Sequence, residues 1–245
     1  GSSQSIATPN FIINTIVAES LSQIADRLEK AEDFNAEVNA VVKEIIKKHK
    51  RIIFNGNNYS EEWVAEAERR GLPNLKSSVD AIPVLIAEKN VKVLEKHGVL
   101  SPTEIHSRYE ICLENYIKTI RIEALTMIEM ASRQILPVSL AYAKKVADTV
   151  AAFKAADTDS TCAKEELDEL VSLTSALKAS VNKLSAKLEE VDKHEGDSLG
   201  HARAYKDIII PIMDELRAVA DKLETKVDAS MWPMPTYGDL LFGVV

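Results

Sequence analysis

Between Leu167 and Val191 the side chains at Leu167, Leu170, Thr174, Leu177, Val181, Leu184, Leu188 and Val191 return at alternating steps of three and four. That spacing holds one stripe on one side of an α-helix. More than three such repeats make a heptad seam, which needs a partner helix to cover it. Gly196-Asp197-Ser198 then turns the chain, and Ile209, Ile212, Leu216, Val219 and Leu223 carry a similar seam. Two seams joined by a tight turn pair antiparallel, so residues 167–223 are expected to form a long coiled-coil-like hairpin. Pro211 falls within the second helix and is expected to kink it.

The rest of the chain reads the same way. Ile13, Ile16, Val17, Leu21, Ile24 and Leu28 share one face of a helix from Asn10 to about Ala31, with Pro9 suited to its first turn. Val38, Val41, Val42, Ile45 and Ile46 form a second helix starting near Asp33. Asn55-Gly56-Asn57-Asn58 is a turn, and Ser60 opens a short helix that stops at Gly71. Asp80 is the expected cap of a helix that carries Pro83 in its first turn and runs to His97 and Gly98. Ser101-Pro102-Thr103-Glu104 has the form of a capping box, with proline at the first helical position. After it Ile105, Tyr109, Cys112, Tyr116, Ile120, Ala124 or Leu125, Ile128, Ala131 and Ile135 keep a continuous stripe. Pro137 ends or kinks that helix, and the pattern resumes through Leu140 and Val146 to Phe153. Residues 157–161 read as a linker. Only eight glycines and eight prolines occur in 245 residues, too few for a sheet rich in hairpins. The fold class is therefore all-α, a helical bundle containing the antiparallel hairpin. The tail from Met231 gathers two prolines and an aromatic cluster, and is expected to dock on the body or on a partner.

The net charge of −8 and the pI of about 5.3 argue against a nucleic-acid partner, because no clustered basic face accompanies them. The basic run 47–51 sits at a helix C-terminus, where cations complement the dipole. The longest candidate membrane stretch, Ile6 to Ala18, is interrupted by Thr8, Pro9, Asn10, Asn14 and Thr15, so no membrane span is expected. The opening residues carry no signal-peptide pattern. Cys112 and Cys162 lie 50 residues apart, which fits two free thiols in a reduced, cytoplasmic protein.

Short motifs yield no site. Gly196-Asp197-Ser198-Leu199 spells a hydrolase signature, but it joins two heptad helices, where Asp197 or Ser198 serves as a cap. Asn58-Tyr59-Ser60 is a glycosylation sequon without a secretory context. Ser180 and Lys183 form Ser-x-x-Lys inside a heptad helix. Histidines 49, 97, 106, 194 and 201 lack metal-ligand spacing. No glycine-rich phosphate loop occurs. Glu165, Glu166, Asp168 and Glu169, and again Glu189, Glu190 and Asp192, read as solvated helix faces rather than acid–base pairs. No catalytic, cofactor-binding or metal residue is assigned.

One resemblance goes further. His49-KRIIFNGNNYSEE-Trp63 resembles the C-terminal region of type III glutamine synthetases, and the likeness runs almost the whole chain. Ser2 to Leu21 resembles the end of that family's catalytic domain. Arg108-YEICLEN-Tyr116, Ile122-EALTMIEMASRQIL-Pro137, Asp214-ELRAVADK-Leu223 and Trp232-PMPTYGDLLF resemble its helical C-terminal extension.

The resemblance implies an organisation of 1–50 as the end of a catalytic domain, 51–230 as the helical domain and 231–245 as a tail. It implies a parent enzyme that joins ammonia to glutamate with ATP and Mg²⁺ or Mn²⁺, assembled as a double-ring dodecamer with neighbouring subunits as partners. The family's metal and nucleotide contacts lie before residue 1, so no residue here inherits a catalytic role. The expectation is a non-catalytic part with a structural, oligomer-contact or regulatory task. The alternative is a free-standing helical adaptor. The start at Gly1, without an initiator Met, favours a segment of a longer protein, and Gly1-Ser2-Ser3 reads either as native sequence or as a tag remnant. If the first helices pack on a missing catalytic barrel, the Ile13, Ile16, Leu21 and Ile24 face is expected to be exposed in this chain.

Overall fold

The computed structural model describes residues 5–193, 196–235 and 237–243. Gly1-Ser2-Ser3, His194 and the last two valines of the tail lie outside the described residues. Every regular element among the described residues is helical. The chain divides into two compact units, Gly1–Cys112 and Leu113–Val245.

The first unit begins with α1 (Ala7–Leu28) and α2 (Phe34–His49). Asp33 caps α2 by accepting from the Ala36 N–H at 3.0 Å. A 3₁₀ turn, Lys50–Ile52, ends this pair. Ser60 caps α3 (Glu61–Arg69). The next segment departs from the expected single helix. Ser77, not Asp80, is the cap, and α4 covers only Ser78–Ala81. The Asp80 carboxylate instead accepts from Ser77 Oγ at 2.6 Å. Pro83 falls in a 3₁₀ segment, Ile82–Ile86, and Ala87 is extended before α5 (Glu88–Lys96) restarts. Proline has no N–H to give to the preceding turn, so the helix breaks into short pieces. Gly98, at φ +62, takes the left-handed position after α5, and Val99 N–H closes on Leu94 C=O at 3.0 Å. In the capping box, Glu104 Oε2 accepts from the Ser101 N–H at 2.8 Å as α6 (Pro102–Met130) begins. Leu94, Leu100 and Ile105 form this unit's small core, with Phe11, Leu85, Ile86 and Val91 packed around them.

In the second unit α6 runs on through a π-turn, Ala131–Ile135, into α7 (Leu136–Ala155). After a loop come α8 (Thr161–Asp192), α9 (Ser198–Ala204), a second π-turn, Tyr205–Ile209, and α10 (Ile210–Glu224). Neither proline breaks its helix. An α-helical Pro137 would collide with the Arg133 carbonyl, and Pro211 with that of Asp207. Each of those carbonyls lies in the π-turn just before its proline, where the ladder is widened by one residue.

The heptad seam is buried as expected. Leu170, Thr174, Leu177, Val181, Leu184, Leu188 and Val191 are all inside. Opposing them are Tyr205, Ile209, Ile212, Leu216 and Leu223. Ion pairs mark the antiparallel register of α8 and the chain beyond it. Lys183 meets Glu215, and Lys226 meets Glu169 at 2.7 Å, so one number falls as the other rises. The core of the hairpin also takes in Ala131, Ile135 and Ala143 from the long helix, which makes a bundle of it. At the ambiguous position of α6 the buried residue is Ala124, while Leu125 is exposed. Met231, Trp232 and Met234 of the tail pack on this core. The last helix, α11 (Tyr237–Phe242), leaves Leu240, Leu241 and Phe242 exposed.

Candidate functional site

Several of the motifs tested in the sequence have a structural task. Asp197 caps α9, accepting from the Gly200 N–H at 2.6 Å, and Ser198 is the first residue of that helix rather than a strand-end nucleophile. Ser60 caps α3. Lys183 pairs with Glu215 from the middle of α8. Glu166 and Glu169 both reach Lys226. Among the described residues no three His, Cys, Asp or Glu side chains are placed to hold a metal ion.

Asp192 lies on an exposed face, as expected, but its carboxylate is engaged. It accepts from Arg121 Nε at 2.9 Å and from the Tyr205 hydroxyl. The available signal was the tyrosine across the turn, since a buried hydroxyl needs a partner.

The Asn-Gly stretch is a structural joint. Phe54 stacks on Trp63 with centroids 4.4 Å apart, and the Arg70 guanidinium lies 5.6 Å over the Trp63 ring. Arg70 Nη1 donates to the carbonyls of Arg51 at 3.1 Å and Ile53 at 2.8 Å, satisfying groups that the 3₁₀ turn leaves open. Glu66 grips Arg69 and Arg70 at once, and those two guanidiniums, Arg69 first, drive its carboxyl down to about 2.

The candidate site is a surface, and α1 builds it. The inward face of α1 is partly polar. Thr15, the buried residue of this helix, donates its hydroxyl to the Phe11 carbonyl at 2.7 Å. Glu19 Oε2 meets Lys96 Nζ and His97 Nε2, each at 2.7 Å, so a carboxylate ties α1 to the end of α5. Those hydrogen bonds, from Lys96 first and then Gln23 and His97, pull the Glu19 carboxyl down to about 2. The outward face is apolar: Ile13 and Leu21 are each 60% exposed, and Ile16 and Val17 lie between them. Val42, Ile45 and Ile46 of α2 are exposed as well. Arg27 pins the two helices together through Glu37 at 2.6 Å and Glu44 at 2.7 Å. The apolar stripe read from the sequence is thus uncovered at Ile13, Ile16, Val17 and Leu21, whereas Ile24, expected to be exposed with them, and Leu28 are half-buried. A contiguous apolar face of this kind marks an interaction surface.

Residues 37–154 match the family model described as the glutamine synthetase C-terminal domain. Those residues belong to that family. The matched span begins within α2 and ends near the close of α7. A glutamine synthetase of Butyrivibrio fibrisolvens is 39% identical over 215 residues, 87% of this chain and 31% of that protein. A type-3 glutamine synthetase of Dictyostelium discoideum is 34% identical over an alignment of 252 residues, 99% of this chain and 34% of that protein. A glutamine synthetase of Bacteroides fragilis is 27% identical over the same length. The chain therefore spans about a third of the length of the curated relatives it matches. Among the described residues, no helix is long and apolar enough to cross a membrane.

Proposed function

We propose that this chain is the accessory, non-catalytic C-terminal part of a type III glutamine synthetase. Residues 1–50 end the catalytic domain, 51–230 form the added helical domain and 231–245 its tail. The parent reaction joins ammonia to glutamate with ATP, giving glutamine, ADP and phosphate, and takes place in the cytoplasm. ATP and Mg²⁺ or Mn²⁺ belong to the parent's catalytic part. No step is therefore assigned to this chain. Its task is to extend the enzyme and contribute to contacts between neighbouring subunits of a dodecamer.

The observation that carries the reading is the orientation of α1. Its polar Thr15–Glu19 face is turned in and its Ile13–Leu21 face is turned out. A helix patterned this way is made to be covered from outside by another apolar surface. The catalytic part of the same polypeptide supplies that cover.

The test compares a full-length type III glutamine synthetase carrying this chain with the chain alone. Glutamine formation by the full protein and none by the chain is the expected result. Ile13→Glu with Leu21→Glu in the full protein is expected to abolish assembly and activity, while the chain alone keeps its helicity. Glutamine formation by the chain alone, or full assembly and activity in the doubly substituted protein, refutes the reading.

A further inference from the structure

An open groove of about 490 Å³ runs between α6 and α10 in the second unit. Ile120, Met127, Ile210 and Met213 line it, and Ile122 stands at its edge, 63% exposed. The groove also carries charges of both signs, Glu123 and Asp214 against Arg217. Neither Glu123 nor Asp214 forms an ion pair among the described residues, and Arg217 holds Asp221 only at 3.4 Å on an exposed helix face. Such a pair is worth little in water and is readily exchanged.

We propose that this groove is a self-docking surface, occupied by a second copy of this chain related by a two-fold axis. Each copy lays Ile122 into the other's groove, and Arg217 of each meets Asp214 of the other. The mixed rim selects this occupant. A uniformly acidic partner would oppose Asp214 and Glu123, and a uniformly basic one would oppose Arg217. The same surface turned through a two-fold axis presents acid to base and base to acid, and places a protruding apolar side chain opposite an apolar hollow. Met127 and Met213 suit the hollow, because unbranched thioethers adapt to an inserted side chain. The inference rests on the proposed contacts between neighbouring subunits and names a surface for one of them; that surface lies on a different unit from the α1 face, so its failure leaves the α1 reading untouched.

Sedimentation velocity of the chain across a concentration series tests the proposal. A reversible dimer is expected, weakened by high salt. Ile122→Glu or Met213→Glu is expected to raise the dimer dissociation constant at least about tenfold. Leu140→Glu, an exposed leucine outside the groove, should leave it unchanged, as should Leu21→Glu on α1. Circular dichroism confirms the fold of each variant. Arg217→Glu alone should weaken the dimer, and Asp214→Arg with Arg217→Glu should restore it, which a merely misfolded variant would not do. A chain that stays monomeric to roughly 100 µM, where specific contacts of ordinary strength are populated, overturns the proposal. So does a dimer that survives Ile122→Glu, one that Leu21→Glu abolishes, or a charge exchange that fails to restore association.

Discussion

The Tyr205 hydroxyl donates to Asp192 Oδ1 across the turn that joins α8 to α9, while Arg121 Nε holds Oδ2 of the same carboxylate at 2.9 Å. Three helices thus meet on one side chain at one end of the bundle. The Tyr205 ring is fully buried, and burial first, then the Asp192 contact, pushes its hydroxyl well above the ordinary tyrosine value. The phenol therefore stays protonated and acts as a donor at any ordinary pH. Tyr205→Phe keeps the ring and removes the donor. It is expected to cost about 1.5–3 kcal/mol, the range for a hydrogen bond to a charged group. The urea midpoint should fall at constant slope. An unchanged midpoint would mean that the contact only decorates a turn already closed by packing.

The seam of α8 allows a second comparison. Leu177 is fully buried, whereas Thr174, also buried, spends its hydroxyl on the Leu170 carbonyl at 2.7 Å in its own helix. Leu177→Ala removes apolar volume that the neighbours cannot fully reclaim, at a cost of about 2–5 kcal/mol. Thr174→Val keeps the volume and removes a hydroxyl that bonds no other helix, so stability should change by less than about 1 kcal/mol. Equal losses in the two variants would contradict the view that packing rather than hydrogen bonding holds this seam.

The seam was legible because α8 meets helices of its own chain, so its apolar stripe and its buried stripe coincide. In α1 they do not. The sequence marks Ile13, Ile16 and Leu21 as one face, but periodicity does not say what covers it, and the chain buries Thr15 and Glu19 contacts instead. The break at Ser77 was hidden for a different reason. Asp80 and Ser77 are both good caps; the helix begins at Ser77, and Pro83, which a helix begun at Asp80 would have held in its first turn, then falls beyond the first turn and ends α4. At Pro137 and Pro211 the apolar pattern resumes on both sides, and only the backbone reveals that a π-turn absorbs the misfit. The Asp192 network was missed because its three members lie far apart in the chain.

Asp157 gives a third expected outcome. It ends α7 in the left-handed region, at φ 52, where Thr158 N–H closes on Phe153 C=O at 2.9 Å. This is the arrangement found after α5, with an aspartate in place of Gly98. A side chain in that conformation is strained, and aspartate tolerates it only partly. Asp157→Gly is expected to raise stability by about 0.5–1 kcal/mol, after the extra chain entropy of glycine is set against the relief. Thermal melting reads it as a higher midpoint. A lower midpoint would show that the Asp157 side chain stabilises the turn more than its backbone strains it.

Acid should release α1 before the heptad core fails. The Glu19 carboxyl is lowered from its ordinary 4.5 to about 2 by Lys96, then Gln23, then His97. A depressed carboxyl stabilises the folded state fully above its unfolded value, and that stability fades as pH falls toward the folded value. The α1–α5 tie is therefore intact at neutral pH and is lost progressively between 4.5 and about 2. Glu66, lowered to about 2 by Arg69 and Arg70, loosens the Asn-Gly joint over the same window. In the bundle Asp228 is likewise lowered to about 2, by Ser230 and then Lys145, but the buried seam of α8 itself is apolar. Amide hydrogen exchange across this range should show α1 losing protection first while α8 keeps it. In Glu19→Gln the α1 response between these pH values should flatten, because the titrating group is gone and a neutral amide meets Lys96 and His97 at every pH. If α1 protection in Glu19→Gln falls with the same pH profile as in the parent chain, the tie is not what holds α1, and the packing of its Phe11 on Leu94, Leu100 and Ile105 must carry the helix instead.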